Sequence, residues 1–503
     1  MAYAITQTCC TDASCVSVCP VNCIHPTPDE PDYGTTDMLY VDPVACIDCG
    51  ACADACPVDA IFPTELLGDE LADYAAINAE FFADRPSSPA TGEGPLFHSW
   101  NAPSFRRPLP AGLSSALNVA VVGTGPAGMY AVQDLLLHTS ARVTLIDRLP
   151  VAGGLVRFGV APDHPATKRI GETFARHYSH HRLRLRLGME VGRDISVSEL
   201  AQDYDAVIYA VGASEPRDLG VPGEELSGSL AATTVVGWYN GHPEIAPDAV
   251  DLGHERVVVV GTGNVALDVA RILTADPDDL AETPIARRAL ELLDDSSVRE
   301  VVLLGRRGPD TAAYTRPELL ALARRRGVEL VVDDEDPRTG ETIDAAASSE
   351  HAALLQGIRR ETIDWSTPAP AGRKRLVLRF HSAPVSVTGP DRVRAVRVTG
   401  PGGEFEIPAG LLIRAVGHRG KPLPGLPFDP DTGTVPNTQG QVDGMPGTYV
   451  TGWIKRGSTG GIGVNRTCAA ETIAALLDDA VAGRFPVRAA RTRLLPLLAA
   501  RGR

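Results

Sequence analysis

Residues 117–136 read LNVAVVGTGPAGMYAVQDLL, and this stretch decides the fold. Val119–Val122 is an apolar run of strand length, and a helix-forming run follows Pro126. Between them lies Gly123-x-Gly125-x-x-Gly128. The first glycine permits the tight turn, and the second lets the backbone approach a pyrophosphate. The third lets the helix pack closely on the strand, and the helix N-terminus turns its free N–H groups to the phosphates. Alone, the pattern carries little weight. Here the next apolar strand, RVTLID (142–147), ends in Asp147, 24 residues after Gly123, where a carboxylate can bind ribose hydroxyls.

The same signature returns 138 residues later in RVVVVGTGNVALDVARIL (256–273), with Gly261, Gly263 and Ala266. Its following strand, REVVLLGRR, ends in Arg306-Arg307 rather than an acid. An adjacent arginine pair grips a 2′-phosphate that a carboxylate would repel. The contrast assigns FAD to the first loop and selects NADP over NAD at the second. Two such starts imply two Rossmann-like α/β domains, with DLGVPGEEL (218–226) at the crossing. A third glycine-rich segment, GTYVTGWIKRGSTGGIGVNRT (447–467), is expected to return to the first domain. The NADP-binding domain is then an insertion: 115–218 and 410–503 form the FAD-binding domain and 219–409 the NADP-binding domain.

Nine of the ten cysteines fall within residues 9–56. In a long chain without a secretory signal this density predicts a metal or cluster rather than disulfides. Residues 46–57, CIDCGACADACP, are C-x2-C-x2-C-x3-C-P, the bacterial ferredoxin run, in which the fourth cysteine reaches the other cluster. Residues 9–20, CCTDASCVSVCP, keep that frame with Asp12 at one cysteine position. Exchanging the fourth cysteines gives Cys46, Cys49, Cys52 and Cys19 for a [4Fe–4S] cluster. Cys9, Cys15 and Cys56 remain for a [3Fe–4S] cluster, or for a [4Fe–4S] cluster whose fourth iron is bound by Asp12. Cys10 could replace Cys9, although its side chain is expected to point elsewhere. Cys23 and Cys468 are expected to be packed free thiols. Residues 1–64 thus read as a small α+β bacterial-type 4Fe–4S ferredoxin domain. Residues 65–114 read as a linker that begins with a short helix around Glu70–Phe82.

With 503 residues, 44% apolar and 22% charged, the chain is globular and multidomain. Residues 1–94 carry 16 acidic and one basic side chain, leaving 47 acidic and 46 basic in the remainder. The acidity that gives a net charge of −16 therefore sits almost wholly in the N-terminal piece. That argues against nucleic acid as its partner and suits docking on a basic protein surface. No apolar run is long enough to span a membrane, and the start lacks the pattern of a signal peptide, so a cytoplasmic location is expected.

GTGPAGMYA, GLVRFGVAPDHP, GWYNGHPE, GNVALDVARIL, GRRGP and GWIKRG together resemble the adrenodoxin reductase-type ferredoxin–NADP reductases over residues 117–480. With the cysteine unit in front, the chain is similar to actinobacterial ferredoxin/ferredoxin–NADP reductase fusions. The resemblance implies an FAD-dependent ferredoxin–NADP(+) reductase. A hydride passes from NADPH to FAD, and single electrons then pass to the chain's own clusters, an external ferredoxin or another acceptor protein. It implies that Ala127, Asp147, Leu155, Val191, Trp453, Gly460, Gly461 and Ile462 line FAD. Thr262, Gly263, Asn264 and Val265 would meet the NADP pyrophosphate, with Arg306, Arg307 and Glu318 at the adenosine end and Gly460 near the nicotinamide. Two positions depart from the family: Asp147 replaces a glutamate and Ser458 a proline. No catalytic side chain is assigned, and His164 is expected to be structural. In 176–188, RHYSHHRLRLRLG, the alternation predicts a half-buried strand whose Arg182, Arg184 and Arg186 could guide the acidic unit. The alternative functions are an electron-input subunit of the glutamate synthase small-subunit type, which needs a large partner, and a non-catalytic redox sensor, against which the arginine pair argues.

Overall fold

The computed structural model describes residues 2–83, 85, 117–325, 327–347 and 350–486. Most of the expected linker, 86–114, lies outside the described residues, but the helix expected at its start is present as Asp73–Phe81. The chain forms two compact units, each assembled from separated segments. Among the described residues no helix is long and apolar enough to cross a membrane.

One unit comprises Pro103–Gly154, Phe174–Ser214 and Arg419–Arg503. Its sheet runs in the order Asn437–Thr438, Gln441–Val442, Thr448–Val450, Ala206–Tyr209, Asn118–Val122, Arg142–Ile146 and Leu183–Arg186. The last five strands are parallel, with Val122 opposite Ile146 and Tyr209. Both faces of a parallel sheet are covered, which is why Val119–Val122 and Ala206–Tyr209 are buried throughout. The C-terminal strand Thr448–Val450 pairs with Ala206–Tyr209, so the third glycine-rich segment does return to the first Rossmann layer.

The other unit contains residues 1–102, 155–173 and 215–418. Its large sheet is wholly parallel: Ser229–Ala231, Leu411–Arg414, Arg256–Val260, Glu300–Leu304, Lys374–Arg379, Val328–Asp333 and Arg359–Glu361. A three-stranded antiparallel sheet, Pro384–Thr388, Ala395–Gly400 and Gly403–Pro408, packs an apolar face against it. Leu411–Arg414 pairs with Arg256–Val260, so the insertion extends past residue 410, and the first unit resumes at Arg419. The apolar run 411–413 is a buried strand in either domain, and its sheet is chosen by tertiary pairing that local pattern does not carry.

The N-terminal segment of this unit is a small α+β fold. Tyr3–Ile5 pairs with Ile61–Pro63, and Ile24–His25 with Tyr40–Val41. The helix Asp73–Phe81 is pinned beneath them by Asn78. Its side chain accepts from Ile5 N (3.1 Å) and Val41 N (2.8 Å) and donates to Ile5 O (2.9 Å).

Candidate functional site

In the first glycine loop, Gly123 has φ +112° and a Cβ there would stand 2.3 Å from the Ala210 carbonyl oxygen. A Cβ on Gly128 would stand 2.0 Å from the Gly123 carbonyl oxygen. At Gly125, by contrast, a Cβ would meet nothing within 4 Å, and this open point caps the helix Pro126–His138. Two glycines are therefore required by the fold itself, and the third leaves room at a helix N-terminus for an anion. A Cβ on Gly452 would meet the Ala127 Cβ at 2.6 Å, which sets the C-terminal loop against the glycine loop. Trp453 lies on that loop, its indole N–H donating to the Thr459 and Gly460 carbonyls (3.0 and 3.2 Å). Gly461 is open on its Cβ side, and Ile462 leads into the helix Val464–Val481.

Asp147 is buried, and its carboxylate is engaged. One oxygen accepts from Thr124 N (2.8 Å) and Thr124 Oγ1 (2.5 Å), the other from Leu149 N (2.9 Å). The acid at the end of the second strand thus braces the glycine turn. Val191 is buried in the core beside Val122 and Ile146, whereas Leu155, in the helix Gly154–Phe158, belongs to the other unit and is 47% exposed.

The second loop has the same build. Gly261 has φ +129° with the Ala415 carbonyl 2.4 Å from its would-be Cβ, and Gly263 caps the helix Asn264–Thr274. Thr262 Oγ1 accepts from Ala313 N (3.3 Å), and Asn264 Oδ1 accepts from Thr315 N (2.8 Å). Val265 is partly exposed at the helix start. Arg306 and Arg307 follow the strand Glu300–Leu304, are exposed, and form no ion pair among the described residues. Two free cations beside a helix N-terminus fit a phosphorylated ribose.

Glu318 is half-buried in the first turn of the helix Arg316–Ala323, where it accepts from Arg271 (3.1 Å). Arg271 also donates to Asp163 (2.7 Å) and Asp268 (2.6 Å), and His164 Nε2 lies 3.7 Å from Asp268. Burial alone would raise the Asp163 pKa, but the Arg271 charge and hydrogen bond hold it at about 2. Burial and the nearby Asp268 raise that of Glu318. His164, Asp268 and Glu318 have the spacing of a metal site, but the Arg271 guanidinium already supplies the cation. Of these residues the sequence singled out His164 and Glu318 and gave no signal of the network that joins them to Asp163, Asp268 and Arg271.

The cysteines gather around two cavities. The first is lined by Cys19 together with Cys46, Cys49 and Cys52, and the second by Cys56 together with Cys9 and Cys15. Each cavity thus places the last cysteine of one run with leading cysteines of the other. Cys23 also lines the first cavity, its Sγ 3.4 Å from that of Cys19, and Cys10 and Asp12 line the second. Asp12 is turned by Ser14, accepting from its N–H (3.2 Å) and Oγ (2.5 Å). Burial pushes Cys9 and Cys52 up to about 12, whereas a hydrogen bond from Cys23 lowers Cys46 to about 6. The buried Cys9 and Cys52 thiols need nearby cations to become thiolates, and iron would supply them. The residues fit clusters.

Acidic residues of the cysteine segment meet basic groups elsewhere in their own unit. Asp37 accepts from Arg316 N (2.8 Å) and lies 3.8 Å from His351. Glu80 pairs with Arg316 (3.0 Å), Asp59 with Arg169 (2.5 Å) and Asp73 with Arg324. Arg182, expected in a guiding row, instead donates to the carbonyls of Leu136 (2.5 Å) and Thr139 (2.5 Å). Of that row, Arg184 is exposed and Arg186 half-buried along the edge strand Leu183–Arg186.

Two nucleotide loops, an arginine pair and two thiol-lined cavities define an electron-transferring oxidoreductase. The sequence matches the pyridine nucleotide-disulphide oxidoreductase family over residues 117–303 and the 4Fe–4S binding domain family over 39–62. A probable ferredoxin/ferredoxin–NADP reductase of Mycobacterium tuberculosis is 45% identical over 499 residues, spanning 96% of this chain and 85% of that one. The mitochondrial NADPH:adrenodoxin oxidoreductase of Mus musculus is 40% identical over 397 residues, spanning 73% and 79%. The structure of Mycobacterium tuberculosis FprA in complex with NADPH superposes with a TM-score of 0.67 at 40% identity, covering 74% of this chain and 87% of that one. The chain belongs to the ferredoxin/ferredoxin–NADP reductase family.

Proposed function

We propose that the protein is an NADPH:ferredoxin oxidoreductase whose N-terminal segment carries its own iron–sulfur clusters. The observation that carries this is the pairing of Cys19 with Cys46, Cys49 and Cys52 around one cavity, in the same compact unit as the Arg306/Arg307 loop. FAD, when bound, accepts a hydride from NADPH and gives its two electrons up singly, so that a two-electron donor serves one-electron acceptors. The Gly123–Gly128 loop and the first turn after Gly125 hold the FAD pyrophosphate. Asp147 keeps that loop in shape through Thr124 and is the candidate ribose partner. Ala127, Leu155, Val191, Trp453, Gly460, Gly461 and Ile462 line the flavin, and the Trp453 N–H fixes the 459–460 loop that approaches the nicotinamide. Thr262–Val265 bind the NADP pyrophosphate. Arg306 and Arg307 bind its 2′-phosphate, with Glu318 beside them at the adenosine end.

Cys19, Cys46, Cys49 and Cys52 hold a [4Fe–4S] cluster, and Cys9, Cys15 and Cys56 a [3Fe–4S] cluster. Three thiolates suit three irons, because the missing iron of a [3Fe–4S] cluster needs no ligand. Thiols without disulfides suit the cytoplasm, and the acceptor is a ferredoxin or another redox protein. The isolated, cofactor-loaded protein is expected to reduce cytochrome c with NADPH, and no turnover overturns the assignment. Low-temperature EPR of the oxidised protein is expected to show a [3Fe–4S] signal that Cys9→Ala and Cys15→Ala remove. Its absence from the unmodified protein would favour Asp12 as a ligand.

A further inference from the structure

The two cavities differ in what surrounds them. Around the second, Leu39 lies two residues from Asp37, which takes the Arg316 N–H, and Cys56 lies three residues from Asp59, which pairs with Arg169. Tyr40 is within electrostatic reach of both Cys9 and Arg316. Residues beside this cavity are thus tied to the body of their unit.

The first cavity has exposed neighbours. Cys49 is exposed, Val44 is 81% exposed and Ile47 58%. Val18, also exposed, precedes Cys19. Each of these three apolar side chains lies within two residues of a thiol of the first cavity, and among the described residues no exposed large hydrophobic does so for Cys9, Cys15 or Cys56. Asp48 and Asp54 are exposed beside Cys49 and form no ion pair among the described residues. Residues 1–64 contain no Lys or Arg. An apolar contact over a redox centre with an acidic rim suits a partner with the opposite rim: the apolar part excludes water and the charges steer encounter.

We propose that the Cys19/Cys46/Cys49/Cys52 site is the electron outlet and that Val18, Val44, Ile47, Asp48 and Asp54 dock an acceptor protein whose redox centre is ringed by Lys and Arg. The proposal rests on the function given above, with clusters in both cavities. The balance is one NADPH oxidised to NADP+ and H+, its two electrons reducing two one-electron acceptors. The test uses the full-length, cofactor-loaded protein and horse-heart cytochrome c as a basic haem protein, in which two ferric haems become ferrous per NADPH.

The variant Val44→Ser/Asp48→Asn/Asp54→Asn keeps every proposed ligand, and asparagine tolerates the φ of +58° at Asp48. Cytochrome c reduction at low ionic strength is expected to fall roughly five-fold or more, with a shallower dependence on salt. Ferricyanide reduction and both EPR signals stay as in the unmodified protein. Val44→Arg, which repels a basic partner without touching the ligand loop, is expected to act in the same direction. Unchanged cytochrome c reduction in both variants overturns the proposal. So does slowed internal transfer from flavin to clusters by stopped flow, which would make the patch an internal contact. Failure of the function itself would show separately, as no cytochrome c reduction by the unmodified protein.

Discussion

Gly125 and Gly128 stand three residues apart in one loop and meet opposite surroundings. Gly128→Ala forces a methyl to 2.0 Å from a carbonyl oxygen, a backbone clash that only movement of the turn relieves. It is expected to destabilise even the flavin-free protein by about 1–3 kcal/mol, seen in urea unfolding. Gly125→Ala meets nothing, so flavin-free stability is expected to stay within about 0.5 kcal/mol while flavin retained after gel filtration falls. Full flavin content in Gly125→Ala would mean that the open point is not the pyrophosphate's.

A second residue carries a pH dependence. Asp134 has one carboxyl oxygen buried without a hydrogen bond, and burial lifts its pKa from 3.8 to about 7 against the opposing pull of Arg466. Because the folded value is raised, the stabilisation is complete below pH 4 and is lost as pH rises through 7. Asp134→Asn removes this loss. At pH 8 the variant is expected to gain up to about 4 kcal/mol over the unmodified protein, with little difference at pH 4. Equal melting temperatures at pH 8 would refute the assignment.

At the scale of elements, most of the machinery was legible. Glycine spacing after an apolar run located both nucleotide loops, and alternation in RLRLRL located the strand Leu183–Arg186. What those elements do with their side chains was less so. Arg182 read as one of a solvent-facing row, yet its guanidinium reaches carbonyls at the C-terminal end of the helix Pro126–His138, where a cation meets the negative end of the dipole. Arg182→Ala is therefore expected to cost about 1.5–3 kcal/mol in chemical denaturation and to leave the salt dependence of electron transfer unaltered. The arginine pair after Glu300–Leu304 is the converse, legible and without an ion pair among the described residues. Arg306→Ala/Arg307→Ala is expected to raise KM for NADPH roughly 10- to 100-fold with little change for NADH, since only the 2′-phosphate distinguishes them.

At the scale of the whole molecule, the repeat of the nucleotide signature announced two Rossmann layers and the glycine-rich C-terminus announced the return. The seat of the cysteine segment had no such signal. Asp73 and Arg324 are 251 residues apart, and ion pairs between distant segments leave no period in a sequence. The total of −15 over residues 1–94 predicted only that basic groups would meet it. The partners, Arg169, Arg316, Arg324 and His351, lie in the same compact unit as the arginine pair. Each of these pairs is partly exposed, and singly each contributes at most about 1 kcal/mol. Their shared role makes them testable together. Arg316→Glu/Arg324→Glu places acids opposite Glu80 and Asp73 and is expected to speed amide hydrogen exchange in the helix Asp73–Phe81, leaving the buried strand Arg256–Val260 unchanged. Adding Asp73→Arg and Glu80→Arg restores the pairs with their signs exchanged and should restore protection. If exchange in the helix does not respond to the first variant, charge does not hold the segment there. If the second variant fails to rescue, the damage lies in the helix Arg316–Ala323 itself.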